Sequence, residues 1–202
     1  NLDEARALYP EDELKTYEQA MNRVCDAIRE HMDPHCSSVV VAHAFVSGAA
    51  LSDSDRSAII GSASMVSKDV FHGFAYTALG HLHRPQTVGK NIRYSGSPIK
   101  YSFSEAGISK SVTIYDTQTD IMETRDLYPI HNMRQLFGNF EELVQGEPSE
   151  DYMKLCITDR AVGPGALETF RAMYPNLLSI SGKQQSMDLD TVTLTIDETR
   201  NL

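Results

Sequence analysis

Two short apolar runs in this chain each lead into histidine, and they constrain the fold more than any other feature. Ser38-Val39-Val40-Val41-Ala42-His43 is a β-branched run closing on an imidazole, and Tyr76-Thr77-Ala78-Leu79 passes directly into Gly80-His81-Leu82-His83. An unbroken apolar run of this length predicts a strand buried on both faces, as in a parallel sheet. His43 would then stand where its strand leaves the sheet, the edge at which α/β folds keep their ligands. Gly80 permits a tight turn at the end of the second run. Neutral imidazole is the commonest side-chain metal ligand. His81 and His83 are two imidazoles at one strand end, and the pair is read as suiting two adjacent ions better than one shared ion. Paired divalent ions are the usual apparatus for hydrolysing phosphate esters.

The segments around these histidines carry a specific resemblance. Ala42-His43-Ala44-Phe45-Val46-x-Gly48 is followed by Gly73-Phe74-x-Tyr76-x-Ala78-Leu79-Gly80-His81-Leu82-His83-Arg84-Pro85-Gln86. Then comes Arg93-Tyr94-Ser95-Gly96-Ser97-Pro98-Ile99-Lys100-Tyr101-Ser102-Phe103-Ser104-Glu105. Together they resemble the SbcD family of nuclease subunits, within the calcineurin-like metallophosphoesterases. Gly-His-x-His alone indicates only the superfamily, and the Arg-Tyr-Ser-Gly-Ser-Pro segment with its continuation narrows the match. The resemblance runs from about residue 10 to the end and is strongest between residues 38 and 105.

That resemblance implies that His43 and His81 ligate one metal ion and His83 the other. It implies two divalent ions, manganese first and magnesium second; mixed nitrogen and oxygen ligation suits manganese without excluding iron or zinc. The family completes its site with an upstream Asp-x-His, a Gly-Asp and a Gly-Asn-His-Asp. This chain contains no Gly-Asp dipeptide, Gly138-Asn139 is followed by Phe140-Glu141, and Asp33-Pro34-His35 falls too close to the His43 run to be the first element. The expectation is therefore that these residues are the later part of a longer polypeptide. The bridging aspartate and the histidine that assists the leaving group would lie upstream, with no catalytic residue in this segment.

Charge supplies a separate argument. The chain has 18 Lys and Arg against 28 Asp and Glu, a formal net charge of -10, which argues against a free-standing, non-specific DNA binder. Yet no acid occurs from Val70 through Ser104, where the chain average would place roughly five. Arg84, Arg93, Ser95, Ser97 and Lys100 in this span are the candidate substrate-binding residues. The Ser95-Gly96-Ser97-Pro98 turn could offer hydroxyls and N–H groups to a phosphate, and a plain turn between strands is an equally good reading of each serine. His72 stands where the family would carry an acid and is not taken as a ligand. Cys25, His31, His35 and Cys36 match no usual zinc spacing.

Leu14, Tyr17, Met21, Val24 and Ile28 recur at helical spacing and predict an amphipathic helix over about residues 11–32, ended near Pro34. Residues 49–69 read as a long loop holding a short helix, of the kind that flanks active sites. Val112–Tyr115 and Ile121–Thr124 predict strands that continue the sheet, and Tyr128-Pro129 marks a boundary. Beyond it, Tyr152–Thr158 and Leu177–Ser181 predict strands around a helix from Pro164 to Tyr174, with Val192–Ile196 as a further strand.

The predicted fold class is thus α/β. A layered metallophosphoesterase sheet fold, C-terminal half, occupies residues 1–128, and a small α/β capping domain occupies residues 129–202. Hydrophobic content of 41% and charged content of 23% are ordinary for a globular protein, and no apolar run is long enough to span a membrane. Three unevenly spaced cysteines suggest no disulfide framework and fit a reducing cytoplasm. The resemblance implies a metal-dependent DNA exonuclease and endonuclease, working as a homodimer within a heterotetramer with an SbcC-type ATPase subunit. The rival readings are a nucleotide or small-molecule phosphoesterase of the same superfamily and a non-catalytic DNA- or partner-binding scaffold.

Overall fold

A computed structural model describes residues 2–52, 55, 65–183 and 192–193 of the chain, the last two by backbone alone. Its residues group into two units: 1–99 with 108–127, and 100–107 with 128–202. The fold is mixed α/β, with several separate sheets.

One capping box decides where the main helix of the first unit begins. The Thr16 hydroxyl accepts the Gln19 N–H at 3.2 Å, and the Gln19 side chain accepts the Thr16 N–H at 3.1 Å. Two donors that a helix start leaves without partners are satisfied together. After the short helix α1 (Leu2–Leu8), α2 therefore spans Tyr17–Glu30, shorter than the sequence pattern alone predicts. Its inward residues are Tyr17, Met21 and Cys25, at i and i+4 spacing, whereas Ile28 is exposed. Leu14 precedes the helix and packs with Ala5 and Ala20 in a small satellite cluster.

The first unit holds a four-stranded sheet in the order β1-β4-β6-β5: β1 (Val39–His43), β4 (Tyr76–Gly80), β6 (Ile92–Tyr94) and β5 (Gln86–Gly89). β1 and β6 both run parallel to β4, and β5 is antiparallel to β6. A short parallel pair, β2 (Phe45–Val46) and β3 (Met65–Val66), accompanies it. Val46, Val66, Val70, Phe71, Phe74, Leu79, Ile92 and Tyr94 form the buried core with Cys25.

Two expectations are corrected here. β1 is not a strand buried on both faces: it is the outermost strand of its sheet among the described residues, and Val41 is 80% exposed. Its burial alternates residue by residue, so Val40 and Ala42 pack on the core while Val39, Val41 and His43 face out. A run of valines is apolar on every side and so reports extended backbone without reporting how many faces are covered. Second, β7 (Lys110–Asp116) and β8 (Ile121–Leu127) form their own antiparallel pair and do not extend the first sheet. Tyr115 stacks on Tyr76 with ring centroids 4.6 Å apart, which places the hairpin against a face of the sheet. Arg93 fastens the same arrangement, donating to the Thr113 and Thr87 hydroxyls at 3.1 and 3.0 Å.

Tyr94 ties the sheet to the segment that follows His43. Fully buried, its hydroxyl donates to the Ala44 carbonyl and accepts the Val46 N–H, both at 2.8 Å. Tyr94→Phe would strand a buried carbonyl and a buried N–H together. The expected loss is about 2–3 kcal/mol of unfolding free energy, checked by urea denaturation. A loss within a few tenths of a kcal/mol would mean that the 44–46 backbone finds other partners.

The second unit carries a sheet in the order β12-β11-β10-β9: β9 (Met133–Gly138), β10 (Tyr152–Ile157), β11 (Leu177–Ser181) and β12 (Val192–Thr193). β9, β10 and β11 are parallel, and β12 pairs antiparallel with β11. Helices α3 (Phe140–Val144) and α4 (Ala166–Met173) pack Leu143 and Phe170 against Met153, Leu155 and Ile157. Sequence reasoning missed β9 and α3, although an Asn139–Glu142 capping box announces α3. Of the expected loop over residues 49–69, residues 53–54 and 56–64 lie outside the described residues, as do residues 194–196 of the expected last strand, while Met65–Val66 forms β3 and Lys68–Phe71 a 3-10 turn.

Candidate metal centre

The parallel register of β1 and β4 sets the site. His43 lies opposite Gly80, the last residue of each strand facing the other, so the two chains leave the sheet side by side. Gly80 matters here for space: a Cβ on it would stand 3.1 Å from His43 Nδ1. The next residue, His81, swings back toward its neighbour. His81 Nδ1 lies 3.2 Å from His43 Nε2, and the rings meet edge to face with centroids 5.1 Å apart. Phe45 also neighbours the His81 ring, at 6.4 Å between centroids.

That separation is informative. Two imidazole nitrogens about 2.0–2.1 Å from one cation, at angles between a right angle and a tetrahedral one, stand roughly 2.9–3.4 Å apart. The observed 3.2 Å falls in this range. Burial, and then the neighbouring His43, push the His81 pKa below its ordinary value, with Asp55 opposing, which favours the neutral ring. A neutral ring keeps a lone pair for a cation. The two histidines that the resemblance assigns to one ion are thus together, at a separation that also suits a hydrogen bond between the two rings. Among the described residues, no three His, Cys, Asp or Glu side chains converge as a cation's full ligand set would.

His81 takes its position at a cost in backbone strain. Its φ of 104° belongs to the left-handed half of conformational space, where a side chain with a Cβ is crowded. Such residues cost about 1–3 kcal/mol and gather at functional sites. Two substitutions separate the ring from the strain. Both His81→Ala and His81→Gly remove the imidazole, but only glycine relieves the backbone. The glycine variant is expected to be more stable than the alanine variant by about 1 kcal/mol, read from their thermal or urea unfolding. Equal stabilities would show that the left-handed backbone is not strained.

His83 is held through its backbone. Its N–H donates to Asp55 Oδ1 at 3.1 Å, and its carbonyl accepts from Lys110 Nζ at 2.8 Å and from the Ser97 N–H at 3.1 Å. Asp55, Ser97 and Lys110 are all buried. Burial alone would raise the Asp55 pKa, but bonds from the Ser52 hydroxyl and N–H and from His83 outweigh it and hold the carboxyl below its usual value. None of these contacts is foreseen from the sequence; Ser52-x-x-Asp55 resembles an ordinary turn, and nothing in sequence distance joins Lys110 to His83.

The other expected residues fall in different surroundings. Arg84 is exposed directly after His83. Arg93 is half-buried, with its guanidinium on the two threonines of β5 and β7. Ser95 is half-buried, and the Ser97 hydroxyl donates to the Ile99 carbonyl at 2.7 Å while accepting from Lys110. Lys100 belongs to the second unit and donates to the Ala106 carbonyl. His72 is engaged at 2.9 Å with the Asp69 carbonyl, and His31 caps α2 on the Ala27 carbonyl. Gln86 stitches the loop after His83 to the chain after β2, its amide exchanging hydrogen bonds with both backbone groups of Ala50.

No helix among the described residues is long and apolar enough to cross a membrane. No family model matches the chain. Two curated proteins, each named as the SbcD component of the nuclease SbcCD, are similar to it. That of Staphylococcus epidermidis is 27% identical over 188 residues, 89% of this chain and 50% of its own length. That of Staphylococcus saprophyticus is 28% identical over 197 residues, 94% of this chain and 52% of its own length. The chain spans about half the length of the curated relatives it matches. The resemblance carried by His43, Gly80–His83 and Arg93–Glu105 thus extends along nine-tenths of the sequence, and the chain is similar to the SbcD component of the SbcCD nuclease.

Proposed function

We propose that this chain supplies the histidine side of a two-metal phosphodiesterase centre in a DNA nuclease subunit. The observation that carries the reading is the 3.2 Å approach of His43 and His81 at the ends of neighbouring parallel strands. His43 and His81 hold one ion and His83 the other, with the remaining ligands outside this segment. A divalent metal held by these histidines, manganese first, would lower the pKa of a bound water and neutralise charge on the phosphodiester oxygens. The protein's own residues fix ring direction: Gly80 leaves room for His43, and Tyr17 donates to the His43 carbonyl at 3.5 Å. Arg84, exposed directly after His83, and Ser95 remain proposed phosphate contacts. The relatives' name, that of one subunit of a nuclease, supports a nuclease reading; action on DNA in repair and recombination, alongside an SbcC-type ATPase, completes the proposal.

The test compares manganese-dependent hydrolysis of a linear duplex, a DNA hairpin and a nucleotide diester by the full-length protein. Cleavage of both DNA substrates with little diester hydrolysis is the expected result. Preference for the nucleotide diester would replace the reading with a small-molecule phosphoesterase, and no metal-dependent hydrolysis of any substrate would replace it with a scaffold. The 202-residue chain alone is expected to cleave weakly or not at all, because three histidines cannot hold two ions.

A further inference from the structure

The backbone of His83 is gripped from both sides by buried groups of opposite charge. On one side, the Asp55 carboxylate accepts the His83 N–H at 3.1 Å and is itself anchored by the Ser52 hydroxyl and N–H at 2.6 and 2.8 Å. On the other, Lys110 at the start of β7 donates to the His83 carbonyl and to the Ser97 hydroxyl, both at 2.8 Å. Asp55 and Lys110 are 3% and 2% exposed. Neither side chain has solvent to fall back on, so charged bonds of this kind are stronger than neutral ones and define one geometry. Asp55, Ser97 and Lys110, far apart in sequence, meet on this single residue.

A loop after a strand is ordinarily free to rock, and a histidine carried on it would present its ring through a range of directions. Hydrogen bonds to both peptide groups of the carrier residue remove that freedom without touching the ring. We propose that Asp55 and Lys110 are positioning residues for His83, acting as a two-sided clamp on its backbone that aims the imidazole at a metal ion. The proposal rests on the two-metal reading above for its purpose, and on the hydrogen bonds alone for its mechanics. It accounts for a buried lysine in a strand that takes no part in the first sheet. It also explains why the Ser95–Pro98 turn closes so tightly on His83: Ser97 N–H and hydroxyl are committed inward, and Gly96 has space for a hydrogen only.

The variants are Lys110→Met, Asp55→Ala and Asp55→Asn in the full-length protein, with His83→Ala as the reference. Asparagine retains an acceptor for the His83 N–H and is the conservative rescue. Two quantities are measured: amide hydrogen exchange at His83 against Thr77 in β4, and Mn2+ affinity by electron paramagnetic resonance. Lys110→Met and Asp55→Ala are expected to cut protection at His83 about tenfold while Thr77 is unchanged. Mn2+ affinity is expected to fall about 10- to 100-fold, as for loss of other groups that orient a ligand, with Asp55→Asn intermediate. Unchanged exchange at His83 in both variants would overturn the clamp. Lost protection with wild-type Mn2+ affinity, where His83→Ala does lose affinity, would overturn its role in aiming the ring. If His83→Ala also binds Mn2+ normally, the metal reading of His83 falls, and with it the aiming role; hydrogen exchange still decides whether the clamp exists.

Discussion

Gly96→Ala is expected to lower the unfolding free energy of the first unit by about 2–4 kcal/mol, a large effect for the addition of one methyl group. Two causes add. The residue sits at φ 77°, where alanine is strained, and a methyl group there would stand 2.7 Å from the His83 carbonyl oxygen and from Pro85 Cδ. Neither obstacle is the tip of a flexible side chain. One is backbone already bonded to Lys110 and Ser97, and the other is a proline ring. The loop can yield only by carrying His83 away from its place, so loss of stability and loss of metal affinity should arrive together. Urea denaturation of the variant checks the first and Mn2+ titration the second. Gly107→Ala is the control, since a Cβ there meets nothing within 4 Å and unfolding should barely change. A Gly96→Ala protein as stable as the parent would mean that the turn has slack the structure does not show.

His83→Ala carries the largest expected effect on activity. In the full-length protein, phosphodiester cleavage should fall by more than about 100-fold, beyond what removing an outer supporting group costs. Unfolding should shift far less than cleavage, because the bonds made by the N–H and carbonyl of residue 83 survive truncation of the ring. That separation of stability from activity is the signature sought, measured as initial cleavage rate at saturating Mn2+ beside thermal unfolding of the same preparation. Cleavage at the parental rate would remove His83 from the centre. A large drop in stability would show that the ring itself packs, contrary to a role as ligand.

The histidines are legible in sequence because strand periodicity and a glycine announce where a sheet releases its chain. Tyr76–Leu79 and Val39–Ala42 both prove to be strands, and their parallel pairing brings His43 to Gly80. What periodicity does not report is coverage. Valine fills an exposed face and a buried one with the same letter, so the pattern makes β1 an interior strand although Val41 is open. The β7–β8 hairpin is visible as two strands but not as a separate sheet, because strand propensity contains nothing about which face a hairpin will cover. Around the site, the hidden part is long-range polar contact. Asp55, Ser97 and Lys110 are separated by 42 and 13 positions and share no motif, and only folding reveals that all three converge on one residue. Arg93 shows the same limit from the other side. A cation in an acid-free stretch suggests a phosphate, and its geometry commits it to two threonine hydroxyls.

The left-handed backbone at His81 has a consequence for anyone who engineers this molecule. Glycine is the comfortable occupant of that position, and glycine has no nitrogen to give. Directed evolution that scores heat tolerance alone would therefore drift toward glycine at residue 81 and report success while discarding the imidazole. Selection has to score ion retention alongside melting, so that variants gaining robustness at the expense of chemistry are rejected.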